Sequence, residues 1–286
     1  MSDAKQKMYP RFRLMARIEH IILLLSFTIL SITGLPQKYA ASPFAQDMIA
    51  LMGGITQVRI IHRYAAFLLV LGSVYHLFTS AYRWYVKGER MRILPEVQDA
   101  RDVWHTLRHN FGLTSHAPKM PKFNFGEKVE YWAVVWGTAV MVITGFILWN
   151  PIAVTAVLPG ESIPAAKTAH GAEALLAVLS ILIWHLYNVL IKHRNFSMFT
   201  GDLPHNQMEE EHALELERLE AGGDPFPGLN LPAQDRRLRI YFATSIVAGV
   251  LIVALLVWLF TFEETAVPPL PAVTREIFVP LATATP

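Results

Sequence analysis

Eleven histidines and no cysteine define the metal chemistry open to this 286-residue chain. Without thiols there is no disulfide, no cysteine-held iron–sulfur cluster and no thioether-attached haem, so any metal must rest on imidazole or oxygen ligands. Five of the histidines, His20, His62, His76, His170 and His185, stand in stretches that are otherwise almost wholly apolar. Ionisable groups in such surroundings are costly and mark function. His62 precedes His76, and His170 precedes His185, by about four helical turns. On α-helices these spacings span about 21 and 22 Å, with both members of each pair on roughly one face. Two histidine pairs at two depths are the ligand set that two stacked b-type haems need. A neutral imidazole can take an axial position on iron without carrying charge into an apolar layer.

The elements that position these residues are expected to cross a membrane. Hydrophobic residues make up 53% of the chain and the mean hydropathy is +0.33, on the apolar side of a globular composition. Five stretches have about the 20-residue length a bilayer demands, near 19–38, 60–82, 130–150, 170–191 and 240–262. Asn150-Pro151 stops the third, and the fourth follows the Pro-containing PGESIPAAKTA. The segments 1–18, 83–128 and 192–239 hold 20 of the 25 Lys and Arg. Positive charge concentrates on the cytoplasmic side, which predicts N-terminus in and C-terminus out. The formal charge is only +2 and no basic run interleaves aromatic residues, which argues against nucleic acid as a partner.

The chain therefore divides into a cytoplasmic tail (1–18), a four-helix haem-binding transmembrane domain (19–200), a cytoplasmic acidic linker (201–239), the fifth span (240–262) and an extracytoplasmic Pro-rich tail (263–286). Within the second unit, Val97, Ala100, Val103, Trp104, Leu107 and Phe111 recur at helical spacing with charges opposite, predicting a helix near 96–109 that lies on the lipid surface. The acidic run MEEEHALELERLEAGGD reads as one helix ending at Gly222 and Gly223, solvated or docked to a partner. Gly34, Gly72, Gly137 and Gly145 offer either room for a flat macrocycle or close helix packing. Arg17 and Arg63, beside His20 and His62, are candidates to face haem propionates, or are ordinary interfacial arginines. Glu173, one turn from His170, is a candidate to orient that ligand or to receive outer-side charge.

Four runs, RIEHIILLLSFTILSITGLP, RIIHRYAAFLLVLGSVYHL, EKVEYWAVVWGTAVMVITGFILWNP and HGAEALLAVLSILIWHLY, resemble the membrane cytochrome b subunits of respiratory formate dehydrogenases and nickel–iron hydrogenases (formate dehydrogenase gamma-like, cytochrome b/b6 domain proteins). The likeness covers residues 11 to about 200. It implies an all-α integral membrane bundle of four helices holding two haems b, here with a fifth C-terminal helix. It also implies ligands His62 and His170 for an outer haem, and His20 and His185 for an inner one. His76 departs from that pattern and is an alternative inner ligand, as in quinol:cytochrome c reductases. The resemblance further implies electron exchange with a membrane quinone, menaquinone or ubiquinone, near the inner haem, where Glu127, Glu130, Tyr131 and His76 are the candidates to exchange protons. Tyr131 and Trp132 equally suit an interfacial anchor.

The reading is a dihaem subunit of a bacterial-type cytoplasmic membrane, passing electrons between the quinone pool and an extracytoplasmic partner that carries iron–sulfur centres or several c-type haems. Its competitors are a stand-alone quinol oxidoreductase acting on a small acceptor and, from another class, a histidine-lined metal or proton transporter. A transporter ordinarily needs carboxylates or broken helices at mid-membrane.

Overall fold

The computed structural model describes residues 7–229 and 231–261, with side chains through 258. Its five long apolar helices are α1 (Leu14–Lys38), α3 (Ile55–Ala81), α5 (Phe125–Trp149), α7 (Ser162–Leu179) and α11 (Gln234–Thr261). Two of them continue through wider turns in which N–H bonds reach five residues back. α3 runs on over Tyr82–Val86, and α7 over Ser180–His185 and Tyr187–Lys192. Each helix is long and apolar enough to cross a membrane, and the fold is an all-α, multi-pass bundle.

The helices begin five to eight residues before the expected spans, for local reasons. α7 includes Ser162, Ile163 and Pro164, because proline in a first turn loses only an N–H that has no helical partner there. α5 starts at Phe125 under a reciprocal cap: the Asn124 side chain accepts from the Glu127 N–H at 3.0 Å, and the Glu127 carboxylate accepts from the Asn124 N–H at 2.9 Å. Asn150-Pro151 ends α5 as expected and begins the short α6 (Pro151–Thr155). The first two spans are joined by α2 (Pro43–Leu51), capped by Ser42.

Helices α1 and α3 pack as one close pair and α5 and α7 as another, while the pairs approach each other mainly along α1 and α7. All five histidines are half-buried and lie on this bundle. The fifth helix, α11, leans on the last turns of α3: Tyr241 donates to the Phe78 carbonyl at 3.1 Å and Arg237 to that of Tyr85 at 3.0 Å. The tail 263–286 lies outside the described residues.

α4 (Val97–Asn110) is the amphipathic helix expected near 96–109. Val97, Trp104, Leu107 and Phe111 are exposed along it. Its opposite face is fastened by Asp99, which accepts from Lys128 of α5 at 2.8 and 2.9 Å, both residues being buried. Removing one partner of such a pair leaves an uncompensated buried charge and typically costs about 3–5 kcal/mol.

The segment expected to be an acidic linker folds onto the same chain. β1 (Met8–Pro10) pairs antiparallel with β2 (Asp202–Pro204), which follows α8 (Ser197–Thr200), with Tyr9 opposite Leu203. The acidic run forms two helices rather than one, α9 (His205–Glu211) and α10 (Ala213–Glu220), broken at His212. Tyr9, Leu203, Met208 and Leu216 make a small core, so this cap closes one end of the bundle. Arg11 ties it down, donating to Glu127 and to the Lys122 carbonyl at 2.6 Å each from a buried side chain.

Two titratable groups in the cap oppose each other. Burial pushes the Glu211 carboxyl up to about 7 from 4.5, so its contribution to stability is complete below pH 4.5 and is lost as pH rises to about 7. Burial, with Arg11 alongside, pushes His212 down to about 4 from 6.5, so its contribution is complete above pH 6.5 and is lost as pH falls to about 4. We therefore expect Glu211→Gln to make the cap acid-sensitive between these limits, and His212→Gln to make it lose stability as pH rises from 4.5 to 7. Hydrogen exchange of residues 202–220 across that range measures both, and profiles identical to the parent would refute the assignment.

Candidate functional site

Four of the five bundle histidines meet in pairs. The His62 and His170 rings, from α3 and α7, have centroids 6.4 Å apart. Those of His20 and His185, from α1 and the wide turn of α7, are also 6.4 Å apart. Two imidazoles bound on opposite sides of one metal at about 2.0–2.1 Å each place their ring centroids about 6.4 Å apart. Among the described residues, no three His, Asp or Glu converge as a metal cage.

Hydrogen bonds fix which nitrogen of each ring is available. The Thr33 hydroxyl donates to the Ile29 carbonyl at 2.7 Å, and that of Thr144 to Val140 at 2.6 Å. Each hydroxyl has one proton, already used, so it accepts from the histidine beside it: His62 Nδ1–H at 2.8 Å for Thr33 and His170 Nδ1–H at 2.9 Å for Thr144. The proton on Nδ1 leaves Nε2 with a free lone pair, the form that binds a metal. The glycine after each threonine makes the approach possible. A Cβ on Gly34 would lie 3.1 Å from His62 Cε1, and one on Gly145 3.3 Å from His170 Cε1. Gly72 and Gly137 instead face Ile22 and Glu173, so those two serve helix packing. Glu173 accordingly sits against α5.

The other end differs. His185 Nδ1–H donates to Glu130 of α5 at 2.8 Å, which again frees Nε2. His20 Nδ1 is buried without a hydrogen-bond partner among the described residues, and Phe199 of α8 sets its ring edge-on to the imidazole at 6.2 Å. His76 is occupied at both nitrogens: Nδ1–H donates to Glu19 at 2.8 Å, and Nε2 accepts from the Tyr131 hydroxyl at 3.0 Å. Tyr131, Glu19 and His76 form one hydrogen-bonded chain beside the His20–His185 pair, with Thr79 also donating to Glu19 at 2.7 Å. Arg17 donates to the Phe199 carbonyl. Arg63 stacks 4.7 Å over the Trp149 ring at the opposite end.

Thr33, Thr144 and Glu19 had drawn no functional reading from the sequence. The signal that carries them is a repeat: Glu19 and Thr33-Gly34 in α1 recur as Glu130 and Thr144-Gly145 in α5, with the same interval from Glu to Thr in both. A haem fits these residues on two counts: paired rings at the required separation, and Nε2 lone pairs left open by the Nδ1 bonds of His62, His170 and His185.

The sequence profile of the family described as prokaryotic cytochrome b561 matches residues 11–201. The cytochrome b556(Fdn) subunit of the nitrate-inducible formate dehydrogenase of Escherichia coli K12 is 20% identical over 230 residues, 79% of this chain and all of that protein. The corresponding Shigella flexneri subunit gives the same figures. The cytochrome b556(fdo) subunit of an Escherichia coli K12 formate dehydrogenase is 20% identical over 183 residues, 63% of this chain and 78% of its own length.

Because a side chain at Gly34 or Gly145 would meet an imidazole ring, Gly34→Val and Gly145→Val are expected to push His62 or His170 out of its pair. Each should reduce haem bound at that seat, whereas Gly72→Ala, which meets only the flexible Ile22 side chain at 3.0 Å, should not. The haem content of purified variants decides this, and full content in both valine variants would refute the contact.

Proposed function

The chain belongs to the prokaryotic cytochrome b561 family, and on that premise we propose that it is a dihaem subunit carrying electrons between the membrane quinone pool and a redox partner on the far side. It is a membrane b-type cytochrome of electron transfer, and its named relatives are subunits of formate dehydrogenases. The observation that carries the finer reading is the equal 6.4 Å separation of two histidine pairs, His62–His170 and His20–His185. Bound haem b supplies a one-electron centre at each seat.

In this reading the chain's own residues do the following. Thr33 and Thr144 hold the outer imidazoles in one tautomer, and Glu130 holds His185. The imidazoles of His20, His62, His170 and His185 would hold the two haems, the last three through the Nε2 atoms that their Nδ1 bonds leave open. The Tyr131 hydroxyl satisfies the His76 lone pair, which favours His20 over His76 as the inner ligand. The chain Tyr131–His76–Glu19, with Glu130 beside it, lies where a quinone reacting near the inner haem would exchange protons. Arg17 and Arg63, at the two ends, would be the propionate partners. The basic segments argue for the capped end facing the cytoplasm, the N-terminus inside and the C-terminus outside. With no cysteine for iron–sulfur or c-type haem centres, electrons leaving the outer seat need a partner subunit that holds such centres.

A pyridine haemochrome count tests the ligand set. The purified protein should hold two haems b, His20→Ala one, and His76→Ala two. Zero haem in the parent would overturn the reading, and loss of a haem only in His76→Ala would reverse the inner assignment. Tyr131→Phe should keep both haems yet slow quinone-linked haem oxidation by about 10²–10⁴-fold if it takes part in proton transfer, and unchanged stopped-flow kinetics would remove it from that role.

A further inference from the structure

The two imidazole pairs are held by chemically different acceptors. At one end both Nδ1–H groups donate to threonine hydroxyls, neutral oxygens whose own protons are spent on backbone carbonyls. At the other, the Nδ1–H of His185 donates to the Glu130 carboxylate at 2.8 Å, a half-buried contact at which the carboxyl group is 27% exposed. The contrast is built into a repeat. The hairpins α1–α3 and α5–α7 carry the same four features: a glutamate, a threonine at the same interval after it, a histidine facing that threonine, and a second histidine facing that glutamate. The two histidines of the second hairpin, His170 and His185, stand one position farther apart than His62 and His76. The extra residue is taken up by the wide turn Ser180–His185, since such a turn inserts one residue into an α-helix. Position for position, Glu19 corresponds to Glu130 and His20 to Tyr131.

The repeat thus delivers a carboxylate-held histidine from each hairpin, and only one of them is left open. His76 is closed by the Tyr131 hydroxyl at 3.0 Å. His185 has its Nε2 free and faces His20. A carboxylate accepting from a ligating imidazole draws its proton away, makes the ring a stronger donor and so favours the more positive metal state; a hydroxyl does this far less. In a site of low effective dielectric the carboxylate charge acts on the metal directly as well.

We propose that Glu130 is a positioning residue that lowers the reduction potential of the haem at His20–His185, and that the Thr33 and Thr144 hydroxyls leave the haem at His62–His170 higher. This rests on the two-haem reading above. The chain itself then sets a step in potential between its two seats, independent of any partner subunit. The acceptors opposite the Nδ1–H groups of His62, His170 and His185 carry that step.

The test is a potentiometric titration of the purified holoprotein, followed in the haem absorption bands, on the parent, Glu130→Gln and Thr144→Val. Glu130→Gln should raise the lower-potential haem at least tenfold in its reduction equilibrium, about 59 mV for one electron, and leave the other unmoved. Thr144→Val should move only the higher one. Two bound haems with unchanged potentials in Glu130→Gln, or a shift of both together, would overturn the proposal while leaving the two-haem reading intact; a parent without haem would overturn that reading instead. If Glu130→Gln loses the haem, Glu130→Asp is read in its place. That variant keeps the charge on a shorter arm, so a smaller rise confined to the same haem is expected, and no shift overturns the proposal.

Discussion

An imidazole within an apolar bundle has two nitrogens to satisfy, and the acceptor opposite Nδ1 decides what Nε2 can do. The rest of this structure depends on that constraint. Thr33 and Thr144 reach their histidines because each spends its proton on the carbonyl four residues back, and because glycine follows each, where a Cβ would lie 3.1 Å from His62 Cε1 or 3.3 Å from His170 Cε1. Those glycines in turn set the spacing within each helix pair. The looser approach between the pairs, along α1 and α7, is where the rings of opposite pairs face each other.

The five spans and the surface helix were legible because apolar length and helical periodicity are local properties of the chain. Their starts were not. The first turn of α7 contains Pro164, and α5 begins in the polar cap Asn124–Glu127, so hydropathy alone places both too late. Spacing brings His62 to His170 but sets His76 as well as His20 at the depth of His185. In the structure it is the His20 ring that faces His185, while His76 is met by the Tyr131 hydroxyl, a contact between α5 and α3 that no spacing within either helix reveals. Thr33 and Thr144 were passed over because a threonine in an apolar helix ordinarily bonds its own backbone; here it does so and accepts a ring N–H as well.

The cap shows the other limit of local reading. Residues 201–239 look like a charged linker, since Leu203, Met208 and Leu216 are too sparse to announce a core. They become one only when β1, nearly two hundred residues earlier, supplies Tyr9. Arg11 then joins three parts that are distant in sequence: it donates to the Lys122 carbonyl and to Glu127, the capping residue of α5, and its own N–H donates to the Gly201 carbonyl at 2.8 Å. Gly201, at φ +96°, accepts a conformation that a residue with a side chain rarely adopts. Phe199, two residues before it, reaches the His20 ring, so the packing of the cap and the surroundings of the inner pair are one structural problem.

The wide turn Ser180–His185 gives this bundle an uneven kind of genetic tolerance. Because the turn absorbs one residue, loss of a single residue from its first half would restore ordinary helical winding and leave His185 facing α1, at the interval that separates His62 from His76. Loss of a second residue would find no slack and would rotate all that follows by about 100°. Ligand geometry at this end is therefore held by chain length as much as by residue identity: one three-nucleotide deletion is absorbed, and the next acts as a rotational frameshift in space while leaving the reading frame of the gene untouched.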